Sequence, residues 1–131
     1  MDNIEGKIKK WIILIQTEKL NNVIEDIQAN VLNQNEKINK HIFKLLLYLS
    51  HTADKCDKQN YAIGKEIYKL TCTLCSNLID VPDNNRFVSS LFHIIRCLLT
   101  MYMFNEAYNI CCYLKTETLH SYCSDNVSDI L

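Results

Sequence analysis

Glycine and proline are nearly missing from this chain, with two glycines and one proline in 131 residues. A β-sandwich needs turn formers every ten residues or so, and a doubly wound α/β fold needs glycine-rich turns between strand and helix. That scarcity argues against both. Neither sign of charge is in excess: 14 Lys and Arg stand against 15 Asp and Glu, for a net charge of −1. Nucleic-acid binding is driven largely by phosphate neutralisation and calls for a basic surplus, which this composition does not supply. No run approaches the ~20 apolar residues of a membrane span. The start of the chain carries Asp2 and Glu5 where a secretory signal would be basic and then apolar.

What is present is a globular composition, 48% hydrophobic and 22% charged, in a length that suits one domain. The seven cysteines are an odd number, which argues against a closed disulfide framework. With no export signal they are expected to be reduced thiols in an intracellular protein, cytoplasmic or nuclear.

Helical periodicity runs through most of the chain. Ile4, Ile8, Trp11, Ile12 and Ile15 share one stripe of a helix that Asp2 or Asn3 would cap. Leu20, Val23, Ile24, Ile27 and Val31 repeat the pattern, with Thr17 as the expected cap. A polar connection over 28–39 leads to a third helix carrying Ile38, Ile42, Leu45, Leu46 and Leu49, and 50–60 reads as part helix end and part loop. A fourth helix shows Ile63, Ile67, Leu70, Leu74 and Leu78. The only proline lies in the turn-forming stretch 80–85, the strongest punctuation in the chain. A fifth helix then carries Phe87, Leu91, Ile94, Ile95, Leu98 and Leu99. After a break at 103–105 a sixth shows Ala107, Ile110, Cys111 and Leu114.

Six helices with short connections make three antiparallel pairs, over 4–32, 37–79 and 86–119. The first and third pairs superpose with an offset of 84 residues, which sets Ile15 on Leu99, Leu20 on Phe104, Val23 on Ala107 and Ile27 on Cys111. Half that offset lies within the ~34–47-residue period of helical-hairpin arrays. The expected fold is all-α: three hairpins stacked as a short right-handed superhelix, in one domain over 1–120 with a polar tail over 121–131. The alternative is a closed six-helix bundle.

Leu98, the run Phe104-Asn105-Glu106-Ala107, then Cys111 and Leu114 resemble one tetratricopeptide repeat. The resemblance implies that Ala107 is the small residue where two helices cross, with Phe104 packed beside it. It covers about 30 residues, with Ile95 where that family has a small residue and no closing proline. The helical amino-terminal part of separases has similarly irregular Leu- and Cys-rich hairpins, and that likeness implies a scaffold that binds an inhibitory chain. A closed bundle would instead resemble viral inhibitors of cell death or host signalling.

Candidate chemistry is sparse. Cys72 and Cys75, with His120 and Cys123, offer four ligands that tetrahedral zinc accepts. Against this, Cys72 and Cys75 fall inside an apolar helical run between Leu70 and Leu78, where reduced cysteine behaves as a small hydrophobe. A cysteine nucleophile would need a histidine base such as His41, His51 or His93, and His93 reads as a hydrogen-bonded boundary residue. No serine elbow, phosphate loop or HExxH helix occurs. The seven tyrosines either bridge core and water or supply a binding surface, where Tyr is favoured. Tyr102 and Tyr108 flank the last helical turn with Phe104 between them, and these three are the candidate partner-binding residues. The expected function is a non-enzymatic protein–protein interaction module, without cofactor, acting as a dimer or as part of a longer array. A small Cys/His metal-binding domain is the competing class.

Overall fold

A computed structural model describes residues 4–29, 36–56, 60–78 and 85–114. The fold is all-α, with no strand among the described residues. Its helices are α1 (Ile4–Gln16), α2 (Leu20–Ala29), α3 (Glu36–Lys55), α4 (Tyr61–Ser76), α5 (Asn85–Thr100) and α6 (Phe104–Cys111). Each buries most of the stripe its sequence marks, with Leu99 on α5 exposed. Ile8, Trp11 and Ile15 are buried on α1, and Leu20, Val23, Ile24 and Ile27 on α2. Ile42, Leu45, Leu46, Leu49 and Ala53 form the inner face of α3. Ile67, Leu70 and Leu74 do so on α4, as do Leu91, Ile94 and Leu98 on α5 and Ala107 and Ile110 on α6.

The helices pair as α1–α2, α3–α4 and α5–α6, and the pairs stack in two layers. In one layer α3 lies between α1 and α5, and in the other α4 lies between α2 and α6. Among the described residues no helix of the first hairpin comes within 8 Å, Cα to Cα, of a helix of the third. A bundle closed on itself would bring them together, so the hairpins form an open stack with two ends. The middle hairpin carries both neighbours. No helix among the described residues is long and apolar enough to cross a membrane.

The turns of the first and third hairpins share one geometry. Glu18 and Tyr102, 84 residues apart, have φ of 63° and 61°. Glu18 N–H donates to the Ile15 carbonyl (3.1 Å) and Lys19 N–H to that of Leu14 (2.8 Å). Tyr102 N–H donates to Leu99 (3.0 Å) and Met103 N–H to Leu98 (2.9 Å). These are two Schellman turns, each satisfying the last carbonyls of a helix through a left-handed residue. The two turns thus match at positions 84 residues apart, but burial does not: Ile15 and Leu20 are buried, while Leu99 and Phe104 are exposed.

One local expectation is corrected. Thr17 does not cap α2; its Oγ1 donates back to the carbonyls of Ile13 (2.9 Å) and Leu14 (3.3 Å), closing α1. The helix end expected within 50–60 is there: α3 runs on to Lys55, with Ala53 buried and Thr52 Oγ1 donating across to the Ile15 carbonyl at 3.2 Å. Asn60 caps α4, accepting from Ile63 N–H at 3.2 Å. The expected cap at Asp2 or Asn3, the proline turn over 80–84 and the tail over 121–131 lie outside the described residues.

Candidate interaction surface

Tyr102, Phe104 and Tyr108 come together at the α5–α6 end. The left-handed turn throws the Tyr102 ring outward, and Phe104 opens α6 beside it, with ring centroids 6.1 Å apart and planes at 76°. Tyr108 lies one helical turn further along the same face of α6. The three are 75%, 58% and 69% exposed. Phe104, which the tetratricopeptide likeness places in packing beside Ala107, is therefore turned to solvent against Tyr102 while Ala107 itself is buried. Tyr61 at the start of α4 and Leu99 near the end of α5 are also exposed, and Tyr61 and Lys65 complete an open groove with Tyr102, Phe104 and Glu106. The turn is seated on α4 by a close approach at Gly64, where an added Cβ would stand 2.5 Å from Met101 Sδ.

The other tyrosines divide differently. Tyr48, Tyr68 and Tyr113 are half-buried against the core. Asn109 Nδ2 donates to the Tyr68 hydroxyl at 3.0 Å, tying α6 to α4. Burial, then the nearby Cys72, pushes the Tyr113 phenol up to about 12.

Of the four candidate metal ligands, Cys72 and Cys75 are described and sit on α4, half-buried and buried. His120 and Cys123 lie outside the described residues. Among the described residues no group of three or more His, Cys, Asp and Glu is placed to hold a metal ion. Burial, then the neighbouring Cys72, pushes the Cys75 thiol up to about 12. Cys97 rises to about 11 through burial, then its contact with Cys56 and the charge of Asp54. Thiols held that high are protonated at neutral pH and are poor nucleophiles. His93 Nδ1 lies 3.1 Å from Asp54 Oδ1 in a half-exposed contact between α5 and α3.

A second surface was not singled out from the sequence. Between the N-terminal halves of α3 and α5 runs a groove of about 510 Å³, with Phe43, Leu47 and Phe87 on its apolar walls and Lys40, Lys44 and Arg86 around it. Its one visible signal is the Leu45-Leu46-Leu47 run, whose third leucine steps off the buried stripe and is 43% exposed. Compared with known proteins, the chain matches no protein-family model, no curated protein and no solved structure.

Proposed function

We propose that this chain is a non-enzymatic, intracellular protein–protein interaction module built from stacked helical hairpins, with the partner lying against Tyr102, Phe104 and Tyr108. The observation that carries the reading is that these three large rings stand in water on one contiguous stripe. Aromatic rings of this kind supply large, rigid contact area at low entropic cost, and they dominate the energetics of many interfaces. The two ends of the stack also differ. The outer surface of the first hairpin is polar, with Lys9, Lys10, Glu25 and Gln28 exposed and Ile13 the exception. Terminal faces of a hairpin stack are normally polar, so an end faced with rings suits a further layer. That layer is a separate protein, a second copy or a continued array.

The test is paired affinity capture from native extract, read by mass spectrometry, with the full chain and with a Tyr102→Ser, Phe104→Ser, Tyr108→Ser variant. All three positions are exposed, so circular dichroism should show the helices intact. A stoichiometric partner retained by the first and lost by the second is expected. The same proteins on both, or none on either, would sink the reading. Copurification of one zinc per chain, with chelation melting the helices, would replace it with the Cys/His metal domain.

A further inference from the structure

The groove between α3 and α5 plays no part in the function proposed above. It lies at the opposite end of α5 from the aromatic turn, about 20 Å away for a 16-residue helix. We propose that it docks an acidic amphipathic helix of a partner protein, with apolar anchors on Phe43 and Leu47 and carboxylates against Lys40, Lys44 and Arg86.

Its floor and its rim ask for different chemistry. The rings of Phe43 and Phe87 meet at 5.7 Å and 54°, which packs the buried Phe87 under a half-buried Phe43 and leaves the Phe43 ring as part of the floor. Leu47 stands beside them, exposed although its neighbours Leu45 and Leu46 are fully buried. Such a floor gains from burial under apolar groups and from nothing else. The rim is cationic on both walls. Lys40 and Lys44 are four apart on one face of α3, and Arg86 stands across from them on α5. Among the described residues, none that lines it is acidic. In a chain of net charge −1, that is a local concentration of one sign, suited to steering and orienting an anionic partner.

The combination selects a helix over other anions. Nucleic acid would use the three cations and leave the phenyl floor unmatched, and three cations give little affinity at physiological salt. A single fatty chain would fill the floor and meet one cation of three. An amphipathic helix presents apolar anchors at i, i+3, i+4 and i+7 with acidic residues along both flanks, meeting both walls at once. There is room for it. A neighbouring groove lined by Glu5, Ile8, Lys9 and His41 shares Lys40 and Lys44. Three helices spaced 8–10 Å apart offer roughly 20 Å, or about 13 residues of a crossing helix.

The experiment is fluorescence anisotropy of the full chain with a labelled synthetic helix of about 14 residues, with Leu at i, i+3, i+4 and i+7 and Glu on both flanks, and with a twin carrying Lys for Glu. The Glu peptide should bind at least about tenfold more tightly than its twin. Lys44→Glu with Arg86→Glu should reverse that order, and Leu47→Asp should abolish binding of both. These positions are exposed, so circular dichroism should be unchanged. Equal binding of the two peptides, an order that does not reverse, or no binding overturns the proposal. It is overturned too if phosphatidylserine vesicles bind more tightly than the peptide, or if light scattering shows a dimer that Leu47→Asp splits. A tenfold gain for the Glu peptide on Asp125→Lys with Asp129→Lys would make the chain's own C-terminal segment the occupant. Tyr102→Ser with Phe104→Ser should leave peptide affinity unchanged, so this proposal and the aromatic-end reading fail separately.

Discussion

At Gly64 helix propensity and packing pull in opposite directions. Alanine inside a helix is worth about 1 kcal/mol over glycine, yet a Cβ here would stand 2.5 Å from Met101 Sδ and 3.0 Å from Met103 Sδ. Carbon and sulfur do not pack so closely, so the α5–α6 turn would have to lift from α4. Methionine is pliable, which limits the damage. Gly64→Ala should therefore lose about 1 kcal/mol in urea unfolding rather than gain it; a gain of the full propensity difference would deny the close approach. The buried thiols set a second expectation. Unfolded, each ionises near its ordinary value of 9.0, while folded Cys75 and Cys97 hold their protons to about 12 and about 11. Above about pH 9 the unfolded chain binds fewer protons than the folded one, so stability falls as pH rises; below that both forms are protonated and the slope vanishes. Thermal midpoints followed from neutral pH towards pH 11 should show this decline, and Cys75→Ala should flatten it. An equally steep decline in the variant would place the cause elsewhere.

Among the elements, the two Schellman turns matter most, because they hold α1 on α2 and α5 on α6. Each puts a residue with a side chain where glycine is most comfortable, at a cost of about 1–2 kcal/mol for a left-handed L-residue. Glu18 is exposed, so Glu18→Gly should raise stability, by less than about 1 kcal/mol because glycine also gains freedom when unfolded. A loss on equilibrium unfolding would mean that the turn is not strained. At Tyr102 the same geometry lifts a ring into solvent, which is why that turn rather than the first is the binding candidate. The apolar stripes of all six helices were readable from spacing alone, since Leu and Ile at three- and four-residue steps leave little choice of inner face. Caps were less readable. Thr17 has the chemistry of an N-cap, and only the left-handed Glu18 after it assigns the hydroxyl to the preceding helix. The helix end expected within 50–60 falls at Lys55, and polar Thr52 is held inside by a carbonyl on another helix.

For the whole molecule the decisive fact is that the stack has ends. The hairpin pairing was legible in the sequence, but which face of each hairpin is covered was not, because burial depends on the neighbour. Leu20 and Phe104 occupy matching positions, yet Leu20 is covered and Phe104 is not. For the same reason Tyr102, Phe104 and Tyr108 could be picked out as a group before their exposure was known, while the groove formed by Phe43 and Phe87 from two helices could not. The central claim is that a partner sits on the aromatic end, and site-specific photo-crosslinking in native extract tests it most directly. A benzophenone side chain would replace Tyr108 in one sample and Ile13, 60% exposed on the first hairpin, in another. Position 108 should give one discrete adduct and position 13 none; adducts from both positions alike, or from position 13 alone, would mean that no partner sits on the aromatic end.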